Sequence, residues 1–406
     1  MRRRGLQQGY AARRCLDTLA IVGICGATGL AAATPPSTTA TNSAKAQSSS
    51  GPEPEGPAFG WNFDGVWLTP LIGPAYTPEL GFLIAGGAML SFVADEGSPR
   101  SSFPATIGYG TVGALVASGQ LRSYFCADTW RLDLDLWYKN MSDHYFGVGY
   151  DAAKNTDLGD DTTKYHRQWF QIKPTLLRRV VSDLFIGVLL DLNETVATEL
   201  NPQMAMDPDV TSAGPSNLNF GAGPVLRFDS RDFPQNAFHG AFAQASFAPY
   251  VTKNSSLDGY QILDLDYRQY VPIGREGSVL AWMVRTRVGF GDVPWSELGM
   301  LGSPFDLRGY RWGRYRQQTI AYGMAEYRYT FSAGSRPDGG VELSKHGLVG
   351  WVGAGTLGED IGSLEGVLPN IGIGYRFAVQ HRLNARLDLG IGSESQALYF
   401  NFTEAF

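Results

Sequence analysis

The stretch ALYFNFTEAF (397–406) alternates as an extended strand does. Successive side chains of a strand point to opposite faces. Leu398, Phe400, Phe402 and Phe406 therefore share one face, and Tyr399, Asn401, Thr403 and Ala405 the other. The preceding run has the same period: Leu383, Ala385, Leu387, Leu389 and Ile391 alternate with Asn384, Arg386, Asp388, Gly390 and Gly392. One face suits lipid and the other a wet lumen, which is the pattern of a transmembrane β-barrel. Phe400, Phe402 and Phe406 read as the signal of the closing strand. Glu404 interrupts their apolar face, at a periplasmic rim where a charge costs little.

Composition agrees. The chain has 406 residues, 44% hydrophobic and 18% charged, with 50 glycines and 12% aromatics. Many strands, tight turns and aromatic girdles fit these values better than a helical enzyme does. Mean hydropathy is −0.14, as expected when only half of each strand meets lipid.

Arg2, Arg3, Arg4, Arg13 and Arg14 precede an apolar run from Leu19 to Ala33. Residues 1–46 read as a signal peptide, with cleavage near residue 33 or 46. Residues 47–60 continue a Pro, Ser, Thr and Gly-rich tract that buries too little to fold and reads as a disordered linker. Residues 1–46 hold six basic residues and one acidic one, so removing them takes the net charge from −6 to −11. Phosphates repel so acidic a chain, which excludes nucleic acid as a partner.

From Trp61 onward, sixteen period-two segments follow: 66–77, 79–94, 102–111, 113–126, 129–140, 166–178, 183–195, 217–230, 237–250, 260–272, 278–290, 317–331, 347–356, 367–379, 382–393 and 396–406. The expected fold is all-β: a 16-stranded antiparallel transmembrane β-barrel over residues 61–406, preceded by the disordered linker. An even strand count allows closure without exposed edges. With both ends periplasmic, the long connections at 141–165, 196–216 and 291–316 lie outside the cell. The segment 332–346 is expected to be one long connection on the periplasmic side. Inward charges of mixed sign, among them Arg131, Asp133, Asp264, Arg285, Glu326, Arg328, Arg376, Arg386 and Asp388, predict a salt-bridged lumen rather than a ring of one sign.

Three motifs carry a family resemblance. LGSPFDLRGYRWGRYR (301–316), with Leu307-Arg308-Gly309-Tyr310 at its centre, resembles the sixth extracellular loop of BamA/TamA-type outer-membrane proteins. GPVLRFDSRDFPQNAFHG (223–240) resembles that superfamily's strand end and turn, with Asp229, Arg231 and Asp232 shaping the periplasmic rim. RLDLGIG and LYFNF (386–402) are similar to the end of its bacterial surface antigen domain.

The resemblance implies a sixteen-stranded barrel with a poorly zipped seam between first and last strands. It also implies that Arg308 folds into the lumen and pairs with a wall carboxylate. The family's aromatic-x-Asp-x-Gly pattern in the thirteenth strand has become Trp351-Val352-Gly353-Ala354-Gly355. Glu326 and Asp388 are therefore the candidate partners of Arg308. No space remains between the expected signal peptide and the barrel for a POTRA module, the periplasmic domain that precedes such barrels.

The implied function is assistance in inserting or translocating outer-membrane or envelope components in the outer membrane of a Gram-negative-type bacterium. Outer-membrane lipid and an unfolded outer-membrane protein or other envelope cargo are the expected partners. The alternative is a passive or plugged channel. A less favoured reading is an outer-membrane hydrolase using His144 or His166 at the rim. The five histidines are scattered, and no nucleophile elbow, zinc-ligand spacing or phosphate loop is present. The chain is expected to be no enzyme, with no cofactor and no metal.

Overall fold

The computed structural model describes residues 60–253, 256–337, 339–380 and 382–406. The expected signal peptide and all but the last residue of the linker lie outside them.

Among the described residues nineteen strands follow one another: β1 (Trp61–Phe63), β2 (Val66–Thr77), β3 (Gly81–Phe92), β4 (Ser101–Gly110), β5 (Leu115–Phe125), β6 (Trp130–His144), β7 (Lys164–Val181), β8 (Leu184–Thr198), β9 (Ser216–Asp229), β10 (Gly240–Lys253), β11 (Tyr260–Pro272), β12 (Ser278–Gly291), β13 (Gly299–Leu301), β14 (Tyr315–Gln317), β15 (Thr319–Ser335), β16 (Val341–Gly358), β17 (Glu365–Gln380), β18 (Leu383–Gly392) and β19 (Gln396–Phe402). Sixteen of them, β2 to β12 and β15 to β19, form a closed antiparallel barrel. The short β1 folds back on β2, and β13 and β14 pair with each other inside the long loop between β12 and β15.

Alternation produces this barrel. In β17, Val367, Ile371, Ile373, Tyr375 and Phe377 face outward, while Leu368, Asn370 and Arg376 are buried inside. In β8, Ile186, Val188, Leu190 and Leu192 face outward and Phe185, Leu189, Asp191 and Asn193 inward. A one-residue slip would send the apolar set into the lumen, so register is strongly specified.

Neighbouring strands are laddered over long stretches, except at one junction. β2 pairs with β3 from Trp67–Ser91 to Thr77–Gly81. β19 pairs with β18 from Ala385–Phe402 to Ile391–Gln396. Between β19 and β2 the register holds at a single position, Phe400 opposite Tyr76. Pro70 and Pro74 leave β2 without two of its backbone donors, as suits an edge strand. At this junction the Phe402 ring lies against Gly73, 2.8 Å from where a Cβ would stand.

In the long connections, α1 (Tyr150–Asn155), α2 (Pro202–Met206) and α3 (Pro208–Ala213) bury Ala153, Met204, Val210 and Ala213 in apolar clusters. Trp295 is fully buried beneath them among Tyr145, Tyr165, Met204, Val210 and Ala213, and its indole N–H donates to the Gly214 carbonyl at 2.9 Å.

Two expectations are corrected. The segment 332–346 is a bulged extension of the β15–β16 hairpin, with Ser332 opposite Leu343 and Ser335 opposite Val341. Register shifts around Ser332 break the period-two pattern that marks a strand in the sequence. The last strand stops at Phe402 rather than running to Phe406. Thr403 takes a left-handed φ of 65°, turning the chain into the lumen. Phe406 is therefore buried beside Tyr270, on the opposite side of the wall from Phe400 and Phe402. Glu404 is buried as well, its carboxylate 2.8 Å from Arg376 and 2.7 Å from the Asn384 amide. Two bonded partners hold that charge inside the barrel where the sequence suggested an exposed rim.

Candidate functional site: a folded-in loop beside the strand seam

The long loop enters the lumen as a two-stranded ribbon, with Gly299 opposite Gln317 and Leu301 opposite Tyr315. Asp306 shapes its tip. The Asp306 carboxylate accepts from the backbone N–H of Gly302 at 3.0 Å and of Ser303 at 2.6 Å. Burial pushes this carboxyl up, and those donors pull it back down.

Leu307, Arg308 and Tyr310 follow, all fully buried. Arg308 donates from one guanidinium nitrogen to Asp388 of β18 at 2.9 Å, and from the other to Glu326 of β15. Its guanidinium also stacks over Trp351 of β16, 3.6 Å from the ring centroid. A planar, delocalised fork suits two carboxylates and a ring at once.

The carboxylates are themselves shared. Glu326 accepts from Arg328 at 2.9 Å, and Asp388 from Arg386 at 2.8 Å and from Arg376. Arg376 continues to Glu404, and Arg328 donates to the Phe406 carbonyl oxygen at 2.9 Å. The turned-in tail thus belongs to the same buried ion network as the loop. Each charge in it is offset by a hydrogen-bonded partner, which burial demands.

Arg308 takes its carboxylate partners, Glu326 and Asp388, from β15 and β18 rather than from β16. At Gly353, a Cβ would stand 2.5 Å from the Asn370 carboxamide oxygen and 2.7 Å from the Met324 side chain. The space is filled, and Asn370 uses its amide to donate to the Arg308 carbonyl at 3.1 Å.

Gly309 has φ +114°, and a Cβ there would come within 2.6 Å of the Gly392 nitrogen. Gly390 faces the loop in the same way: a Cβ would meet the Arg308 carbonyl at 2.6 Å. This close approach lets the Gly309 N–H donate to the Tyr399 hydroxyl of β19 at 3.0 Å. The Tyr310 hydroxyl donates to the Pro369 carbonyl at 2.8 Å and accepts from the Ser393 N–H at 3.0 Å.

The rim turn of residues 230–239 is held separately. Arg231 pairs with Asp229 at 2.8 Å, and Asp229 also meets Arg131 at 3.4 Å. Asp232 accepts from the Phe238 N–H at 2.9 Å and pairs with Arg382 in the β17–β18 turn. Arg382 and Asp232 therefore join two turns 150 residues apart in sequence. His144 contacts the Thr163 hydroxyl at 2.9 Å.

Sequence reading quoted Trp351 and Trp312 within motifs but gave them no contact, and it passed over Asn370, Glu79 and Lys139. Parity placed Tyr399 on the inner face, yet nothing in the sequence pointed to Gly309 as its donor.

The fold matches solved structures. A BamA from Haemophilus ducreyi lacking POTRA domains 1–3 superposes with TM-score 0.54 at 14% identity, covering 83% of this chain and 70% of that one. CdiB from Escherichia coli gives TM-score 0.54 at 11% identity, covering 83% and 62%. CdiB from Acinetobacter baumannii gives 0.50 at 10%, covering 84% and 60%. The chain thus spans less than two thirds of either CdiB. No protein-family model and no curated protein matches the sequence.

By class, this is a closed, sixteen-stranded antiparallel β-barrel with an apolar outer face. More specifically, it has a BamA-like fold of sixteen strands.

Proposed function

We propose that this barrel assists the insertion or translocation of outer-membrane or envelope components, acting through its seam and the bilayer beside it rather than through bond chemistry. The observation that carries the proposal is the junction of β19 with β2, paired only at Phe400 and Tyr76 in an otherwise laddered wall. Such a junction exposes unpaired backbone groups at membrane depth, which lipid cannot satisfy and another strand can. The lumenal loop anchored by Arg308 stands directly behind that junction. Outer-membrane lipid and an unfolded outer-membrane protein or other envelope component are the proposed partners.

The test is a reconstituted insertion assay with the wild-type barrel and Arg308→Ala. Insertion by the wild type above empty liposomes, reduced in the variant, is the expected result. Background-level insertion by both would sink the reading.

A plugged channel is the second reading, favoured by the burial of Trp295 at one mouth and Phe406 at the other. Stable, sizeable conductance in planar bilayers that survives Arg308→Ala would establish it in place of the first.

A further inference from the structure

We propose that residues 309–312 form a strap that closes the β2–β19 seam from inside the lumen, with Glu79 and Lys139 as its far anchorage. The inference rests on the seam being the working part of the barrel, and it names the residues that hold the seam shut.

On one side of the seam, the Gly309 N–H donates to Tyr399 of β19 at 3.0 Å, and the Tyr399 hydroxyl returns a bond to the Tyr310 carbonyl at 3.3 Å. On the other side, the Trp312 N–H donates to the carboxylate of Glu79 at 2.9 Å. Glu79 sits in the turn joining β2 to β3 and is buried. The Trp312 indole is fixed as well: the Lys139 ammonium of β6 lies 3.5 Å from its ring centroid. Trp169 and Trp137 flank the same ammonium at 5.1 and 5.5 Å. All three rings lie within the range of cation–π attraction of this one ammonium group.

The chain therefore reaches from the last strand to the first hairpin within four residues, across the junction where the backbone ladder is nearly absent. Missing donors at Pro70 and Pro74 prevent β2 from supplying a full ladder, so closure passes to the strap. Besides the Phe400–Tyr76 pair, the Phe402 ring packs against Gly73 at the same junction. Glu79, Lys139 and Trp312 are positioning residues in this account, and the seam strands are what they position.

Electron spin-resonance distances in the isolated barrel, without cargo, test the strap independently of any insertion activity. Labels on ketone-bearing residues replacing Ile84 of β3 and Leu389 of β18 face lipid on either side of the seam. Labels replacing Val251 of β10 and Val284 of β12 report a laddered part of the wall. In the double variant Glu79→Ala/Trp312→Ala, the Ile84–Leu389 distribution is expected to broaden and move to longer distance, with the Val251–Val284 distribution unchanged. Trp312→Phe, which keeps a ring over Lys139, should return most of the wild-type distribution. An unchanged seam distance in the double variant would overturn the proposal. So would equal broadening of both pairs, since that is general loosening rather than release of a strap. Insertion can fail while the strap stands, and the strap can fail while insertion stands.

Discussion

Arg308 and Asp388 meet at 2.9 Å, both fully buried and eighty residues apart in sequence. The pair fixes a loop to a wall strand, and Glu326 and Trp351 complete the seat. Removing the arginine takes one buried cation from a network in which Glu326 keeps Arg328 and Asp388 keeps Arg376 and Arg386.

Arg308→Ala should therefore cost about 3–5 kcal/mol, the range for breaking a buried ion pair from one side. Thermal unfolding in detergent, read by loss of the compact form on semi-native gels, measures it. Arg308→Ala/Asp388→Asn should lose less than the two single variants added together, because the pair is coupled.

Gly309→Ala should expel the loop. The substitution combines a left-handed φ of +114° with a Cβ 2.6 Å from the Gly392 nitrogen. Limited proteolysis within 302–314, which the packed loop resists, should become fast while the strands stay protected. A loop that remains protected would mean that β18 can move back to make room.

Glu404→Ala should destabilise the barrel by about 1–3 kcal/mol, the cost of stranding a buried partner. Here that partner is Arg376, with Asn384 beside it. Glu404→Gln keeps an acceptor for both and should lose less. A solvent-exposed residue at this position would show no difference between the two variants, so unfolding midpoints decide.

Glu297 predicts a pH dependence. It lies in the loop between β12 and β13, where burial pushes its carboxyl up to about 7 while Arg287, 3.5 Å away, opposes the shift. The folded value lies above the ordinary 4.5. Its contribution to stability is thus full below the unfolded value and lost as pH rises through about 7. Relative to Glu297→Gln, the wild type should lose melting temperature from about pH 4.5 to 7 and run parallel above that. A constant gap across this range would assign the burial of Glu297 no titration.

Particular residues show where sequence reading succeeded and where it stopped. Leu398 and Phe402 face outward and Tyr399 inward, as parity alone demands, because the strand period is two and one face must meet lipid. The same parity rule failed at Phe406 and Glu404. A single left-handed residue, Thr403, reverses the assignment, and nothing in the composition of NFTEAF marks it. The hairpin extension at 332–346 was hidden by bulges in the same way.

Within the site, the sequence determined that charges of both signs line the wall and that Leu307-Arg308-Gly309-Tyr310 is a motif to watch. It could not choose between Glu326 and Asp388, and the structure uses both. Alternation, turn chemistry and strand count are local properties, so the chain by itself determined an even barrel and the face of the residues in its clearly alternating strands. Ring closure, the depth of the loop and its reach from Tyr399 to Glu79 depend on strands hundreds of residues apart meeting in space. Only the tertiary structure decided those, because the partners of a buried charge are set by where the wall brings them, not by their neighbours along the chain.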